Sequence, residues 1–412
     1  MFFKKISPLD FIIVLILATP FLMVLSRNIA TLILVVVALL SAGAGFSFNK
    51  DVYLLSIRRI ASSRATLIVV AIIALMLMTL MWSPSMERGF GAVINLVSNL
   101  AFFAIAIALA TAMILRASLI LLNRYWMSAA IVAAAGLIIV ELIFGSPIRA
   151  FLGGSVGAYR MNRAAVAIVL FLPLALTLLP RDKSGGVVCV ITTVALFAAV
   201  FASKSTSAQL AFLVLVMLQL ACIAFHSKTI WLLASVTLIS LVLLPFISPI
   251  ILGFVPDQIE ELIGYGSLGV RAEIWSAYSS LLENAPFLGH GMEASNAAAV
   301  IYEYAELDNR LLDFGHPHNF AIQVWYELGV VGVILFSVLI VMYFRSLCNV
   351  PDNFIPAILS TTAAVWTVSL VSHGAWQAWW WSLVGLLALL WVIVLRTQDT
   401  DGSNNQQTLT TE

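Results

Sequence analysis

Twelve predominantly apolar stretches, each about 17 to 25 residues long, set the terms for how this chain can fold. They lie roughly at 9–26, 29–46, 66–82, 91–115, 127–144, 164–180, 187–203, 208–225, 230–250, 322–344, 354–372 and 376–395. At 1.5 Å rise per residue a helix of that length crosses the hydrocarbon of a bilayer, and a helix satisfies its own backbone polar groups there. The expected fold is therefore an all-α polytopic membrane protein with about twelve transmembrane helices. Mean hydropathy of +1.06, with 62% hydrophobic and 10% charged residues, excludes an ordinary soluble domain, whose surface needs more polar side chains. A net charge of +1 gives no basic excess for nucleic acid, so no nucleic-acid partner is expected. Cys189, Cys222 and Cys348 fall in or beside apolar runs and suggest no disulfide framework. Lys4 and Lys5 precede the first run, and no small-residue cleavage site follows it, so that run is expected to be kept as a helix.

The spacing leaves one long gap, about 251–321, between the ninth and tenth helices. Ten of the 20 acidic residues lie in it: Asp257, Glu260, Glu261, Glu273, Glu283, Glu293, Glu303, Glu306, Asp308 and Asp313. Thirteen of the 21 lysines and arginines fall on the side of the N-terminus and eight on the other, among them Arg88, Arg149, Arg160, Arg163, Lys204 and Arg271. By the positive-inside tendency both termini are expected in the cytoplasm and the long loop outside, in the periplasm of a Gram-negative cell. The membrane domain is expected to fill 1–396, and the polar tail 397–412 to be disordered. Within the loop, Val270, Ile274, Ala277 and Leu281 fall on one face of a helix over 267–282. Pro286-Phe287-Leu288-Gly289-His290-Gly291 reads as a turn, and 294–307 as an amphipathic stretch along the membrane surface. Trp376, Trp379, Trp380 and Trp381 suit an interfacial belt.

His318 stands at the start of the tenth helix. A neutral imidazole there suits a general base, and equally a histidine that caps the helix among lipid headgroups. His316 lies two residues earlier, and no third ligand accompanies the pair at metal-binding spacing, so no metal is expected. Arg271 carries a fork of donors that suits phosphate oxygens, or an exposed ion pair with Glu273. Arg160 and Arg163, three apart at the sixth helix, could bind an anion with the helix N-terminus or snorkel at the membrane edge. Lys204 adds a cation in Ser203-Lys204-Ser205. Taken together, basic residues facing outward beside a histidine-bearing loop fit a phosphate-bearing lipid.

In combination, Arg271-Ala-Glu273-Ile-Trp275, Pro286-Phe-Leu-Gly289-His-Gly291, His318-Asn319 and Trp325-Tyr-Glu327-Leu-Gly329-Val-Val-Gly332 resemble the O-antigen ligase and O-antigen polymerase superfamily, metal-independent membrane glycosyltransferases of the C type. Ser203-Lys204-Ser205 resembles the family's short Ser-Arg or Ser-Lys signature, and Arg160-Met-Asn162-Arg163 its basic stretch. The resemblance implies transfer of a glycan from undecaprenyl diphosphate to an acceptor hydroxyl, which in a ligase belongs to lipid A-core. It implies no cofactor, His318 as general base and Arg271 on the diphosphate, with inversion at the anomeric carbon. Arg160 or Arg163, Lys204 and His316 would be further contacts to the diphosphate. A polysaccharide polymerase of the same superfamily is the alternative, its acceptor another lipid-linked glycan. A transporter of lipid-linked sugars would call for internal repeats or broken helices with intramembrane charges, and the sequence offers no obvious repeat.

Overall fold

The computed structural model describes residues 7–26, 28–112, 124–154, 156–225, 228–252, 269–302 and 309–409. Among the described residues every regular element is helical. Among the described residues, nine helices are long and apolar enough to cross a membrane, from Pro8–Leu25 to the span Ala378–Thr397. Shorter apolar helices at Arg64–Thr79, Thr206–Cys222 and Ile355–Val371 account for the remaining three of the twelve runs. The protein is a multi-pass membrane protein, as its composition predicts.

Several boundaries differ from expectation for identifiable reasons. The second helix, Ile29–Ala61, runs past the end of its apolar stretch with a kink at Asn49 (φ −160°, ψ 85°). Asn49 Oδ1 accepts the N–H of Val52 at 3.2 Å, recapping the continued helix. The third helix stops at Thr79, short of 82, because Trp82 and Ser83 are drawn away to bind a distant loop. The last helix carries its backbone to Leu409, beyond Arg396, since each residue added to a long established helix gains a hydrogen bond without a new nucleus.

The chain divides into two compact units. The first comprises 1–63, 98–213 and 378–412. In it Pro8–Leu25 packs on Ile29–Ala61, Trp126–Ile143 and Asn162–Leu178. Helix Asn162–Leu178 is buried along most of its length, Ala164 to Ala175 without interruption. Pro8–Leu25 starts with a reciprocal cap: Ser7 Oγ accepts the N–H of Asp10, and the Asp10 carboxylate accepts the Ser7 N–H, both at 3.1 Å.

The second unit, 64–97 and 214–377, is organised around the 28-residue helix Phe320–Leu347. Arg64–Thr79, Lys228–Leu252 and Ile355–Val371 pack against this helix. The long connection ahead of it contains helix Gly269–Ser280 and shorter turns at Leu282–Asn284, Ala294–Ala297, Ala298–Ile301 and Asn309–Leu312. The expected apolar face is real. Ile274, Ala277 and Leu281 are buried together with Tyr278, Leu312 and Tyr326, and Val270 packs against them. Of the amphipathic stretch at 294–307, the part over 303–307 lies outside the described residues, as do Asp257, Glu260, Glu261 and Asp308.

The expectation changes for three of the four tryptophans. Trp376 in the second unit, and Trp379 and Trp380 in the first, are buried rather than forming an interfacial belt. Trp376 turns its indole N–H onto a buried carboxylate, a partner that an interfacial position would not offer.

Candidate active site

The helix Phe320–Leu347 is broken at Gly329, which takes φ 61° and ψ −163°. In an unbroken helix the N–H groups of Val330 and Val331 would donate to the carbonyls of Tyr326 and Glu327. Here both donors and both acceptors turn to the segment 286–291. Val330 and Val331 donate to the carbonyls of Pro286 (2.9 Å) and Phe287 (3.2 Å), and the Tyr326 and Glu327 carbonyls accept from His290 (2.8 Å) and Gly291 (3.1 Å). These four backbone groups are thus satisfied by one strap.

The glycines follow from this close approach. A Cβ at Gly289 would lie 2.3 Å from the Glu327 carbonyl carbon, and one at Gly329 would lie 2.5 Å from Phe287. The strap is held from behind by the Trp82 indole N–H, which donates to the Gly289 carbonyl at 3.1 Å, and by Ser83 Oγ–H, which donates to the Met292 carbonyl at 2.6 Å. The His290 ring stacks on Tyr326 with centroids 4.2 Å apart. Burial lowers the His290 pKa, so the ring is neutral: Nδ1–H donates to the Tyr326 carbonyl, leaving Nε2 to accept from the Tyr302 hydroxyl at 2.7 Å.

Just inside the break, the fully buried Glu327 carboxylate receives four donors. Ser295 Oγ–H (2.6 Å) and Gln323 Nε2–H (2.9 Å) reach Oε1. The Glu293 backbone N–H (2.8 Å) and Trp376 Nε1–H (2.6 Å) reach Oε2. Nearby, burial and then the Glu327 charge push the Glu293 carboxyl up to about 8, against the pull of Arg88, so Glu293 is mostly protonated at neutral pH. Its carboxyl also accepts from Asn296 Nδ2, and the Asn296 Oδ1 accepts from Arg88 Nη1 at 2.7 Å.

The histidine turn sits immediately before this helix. Asn319 caps it, Oδ1 accepting the Ile322 N–H at 3.2 Å. Trp275, on helix Gly269–Ser280, donates its indole N–H to the Pro317 carbonyl at 2.9 Å, so the arginine helix grips the residue between the two histidines. The rings of His316 and His318 meet edge to face at 4.1 Å. His318 adopts φ 52°, a left-handed conformation that an L-residue holds only when its surroundings enforce it. Its Nδ1 lies 3.1 Å from the Ser372 carbonyl. A carbonyl only accepts, so Nδ1 carries the proton and Nε2 of the neutral ring keeps its lone pair. Burial first, and then the positive charge of Arg271, hold the His318 pKa below the usual histidine range.

Arg271 itself is half-buried and its pKa is lowered by burial, whereas Glu273 is exposed. A partly desolvated guanidinium attracts an anion more strongly than a surface one does. His316 takes a different part. Burial and the neighbouring His318 lower its pKa to about 4, and its Nδ1 accepts the His318 backbone N–H at 3.3 Å. It therefore supports the turn as a neutral ring.

Arg160, Arg163 and Lys204 belong to the first unit. Arg160 lies in the 3₁₀ turn Ala158–Met161, its guanidinium 4.5 Å from the Tyr159 ring centroid. Arg163, in the helix that follows, lies 4.4 Å from the Trp379 ring centroid. Each stands over an aromatic face, a contact that favours a cation without consuming its hydrogen-bond donors. Lys204 is exposed at a left-handed tip (φ 54°) between the buried Ser203 and Ser205.

Sequence reasoning missed Glu327, Gln323 and Trp376 as members of the site. The signal for the first was available, since an ionisable residue within an apolar run of membrane length marks a site by default. Among the described residues, no group of three or more His, Cys, Asp or Glu side chains is placed to hold a metal ion.

This is a membrane-embedded helical scaffold that presents a tautomer-fixed histidine beside a half-buried arginine. Residues 191–337, which hold both, match the family model described as O-antigen ligase, and this match places the stretch in the O-antigen ligase superfamily, as its motifs suggest. The chain is also similar to proteins named "Putative polysaccharide ligase" from Rickettsia. Identity is 29% over 153 residues to the one from Rickettsia prowazekii (34% of this chain, 35% of that protein) and 28% over 135 residues to the one from Rickettsia typhi (30% and 31%). For the one from Rickettsia bellii it is 26% over 160 residues (36% of each). The matched stretch thus spans about a third of the length of these curated relatives.

Proposed function

We propose that this protein is an O-antigen ligase of the bacterial inner membrane, transferring a glycan from undecaprenyl diphosphate to a hydroxyl of lipid A-core. Both termini lie in the cytoplasm and the histidine turn faces the periplasm. The observation that carries this reading is the His318 tautomer: with Nδ1–H committed to the Ser372 carbonyl, Nε2 is the nitrogen available to take a proton. The acceptor O–H gives its proton to Nε2 as its oxygen forms a bond to the anomeric carbon. The bond from that carbon to the diphosphate oxygen breaks, and undecaprenyl diphosphate leaves with the electron pair. Attack from the face opposite the leaving group inverts the anomeric carbon.

Arg271 holds the diphosphate and neutralises the charge that develops on it. A fixed cation in a partly desolvated site makes the larger electrostatic contribution to such a reaction. The reaction needs no metal, because a diphosphate already leaves readily once its charge is met. Arg160, Arg163 and Lys204 enter this reading through the family resemblance alone.

The test is a transfer assay with purified full-length protein, undecaprenyl-diphosphate glycan and lipid A-core, with chelator present. Wild type should place glycan on lipid A-core, and His318→Ala should lose on the order of 10²- to 10⁴-fold in rate while still binding donor. Longer chains on undecaprenyl diphosphate, with lipid A-core unmodified, would make the protein a polymerase instead.

A further inference from the structure

We infer that Gln323 and Glu327 are positioning residues that set the proton-accepting nitrogen of His318 by clamping the turn that carries the Ser372 carbonyl; this rests on His318 acting as the base. The chain of contacts is continuous and each link has one possible polarity. The Glu327 carboxylate, with four donors directed at it, acts only as an acceptor. Gln323 must therefore point its Nε2–H at Glu327, which fixes the amide and leaves Oε1 to accept the Ala375 backbone N–H at 2.8 Å. The next residue, Trp376, donates its indole N–H to the other carboxylate oxygen. Two consecutive residues of the 372–377 turn are thereby tied to one anion, Trp376 directly and Ala375 through Gln323.

Three residues before Ala375, Ser372 directs its carbonyl at His318 Nδ1. The opposite tautomer would set a bare ring nitrogen against that carbonyl oxygen at 3.1 Å, two lone pairs with no proton between them. The turn is also closed from the histidine side: a Cβ at Gly374 would come within 3.0 Å of the His316 ring, whose Nδ1 accepts the His318 N–H. A left-handed backbone at His318 leaves the ring dependent on these contacts for its direction. Loosening the carboxylate end of the clamp thus frees the carbonyl, and with it the proton on His318.

The experiment combines transfer rates with ¹⁵N NMR of histidine-labelled full-length protein. His318 is one of five histidines, assigned by the signal lost in His318→Asn. Wild type should show Nδ1 protonated and Nε2 bare. Gln323→Met and Trp376→Phe each remove one link, the first at nearly constant bulk and the second keeping an aromatic ring. Both should mix the two tautomers at His318 and slow transfer on the order of 10²-fold, the scale expected when a reacting group is misplaced by about 1 Å. The loss should fall on kcat, with the donor KM unchanged. Trp366→Phe, which loses an indole N–H to Ser240 elsewhere in the same unit, should change neither tautomer nor rate.

An Nε2-protonated His318 in the wild type overturns the inference. So does a Gln323→Met protein with the wild-type tautomer and rate while His318→Ala is inactive. If neither clamp variant accumulates in the membrane, the wild-type tautomer alone decides. If His318→Ala transfers normally, it is the assignment of the base that falls, and the tautomer populations still report on the clamp.

Discussion

Glu141 and Glu327 are both completely buried carboxylates on apolar helices, yet they bind the protein together over different distances. Glu141, in the first unit, reaches seven residues along the chain. Its Oε1 accepts the Ile148 N–H at 2.8 Å and its Oε2 lies 3.4 Å from the Arg149 N–H, closing the start of helix Pro147–Phe151. Glu327, in the second unit, gathers donors from 293, 295, 323 and 376. A buried anion that serves a local helix start can be replaced at modest cost. One that joins three separate segments holds them in an arrangement that no single segment specifies, and in this protein one of the three is the turn that carries the Ser372 carbonyl.

The strongest way to break this contrast is through glycine. Gly329→Ala should abolish transfer and lower stability by about 3 kcal/mol or more, because its Cβ meets the Phe287 backbone at a left-handed φ. Gly136→Ala, in a helix of the first unit with nothing within 4 Å of the added carbon, should leave thermal unfolding in detergent and transfer rate intact. Equal damage from both would show that the strap is no more demanding than an ordinary helix.

Next in size is the carboxylate pair. A glutamine oxygen accepts two hydrogen bonds at most, so Glu327→Gln turns an NH₂ group toward at least two of the four donors. The expected cost is about 2–4 kcal/mol, with a large loss of transfer. Glu141→Gln keeps its short bond to Ile148 and should cost about 1 kcal/mol, with transfer unchanged, when the two proteins are compared by thermal unfolding and assay.

The smallest effect is one of pH. With its pKa held below 6.5, His318 stays unprotonated as the medium turns mildly acidic, so the acid limb of kcat/KM should fall below that value. Removing the neighbouring positive charge makes the imidazolium less unfavourable. Arg271→Gln should therefore shift the acid limb upward in the activity it retains, and a limb that stays in place would separate the arginine from the histidine.

The scaffold was readable because membrane-length apolar runs leave little choice of structure, and because Ile274, Ala277 and Leu281 repeat with helical period. His318 and Arg271 stood out for being unusual residue types in their surroundings. The link between the strap and the helix break was hidden. Gly289 and Gly329 are each intelligible alone as a turn residue and a helix irregularity, and only their approach across forty positions of sequence shows that each exists for the other. Glu327 was hidden for the same reason, and Trp376 was misread because the sequence carries no sign of which acceptor an indole N–H will meet.

The broken helix also bears on the order in which the protein can be made. Until 286–291 arrive, the interruption leaves two carbonyls and two amides bare, and bare backbone in hydrocarbon is costly. Synthesis runs from the N-terminus, so these residues leave the ribosome before 326–331 and are available when the broken segment threads into the bilayer. The linear order of the chain thus serves as an assembly schedule, in which the dressing for the exposed backbone is delivered ahead of the wound.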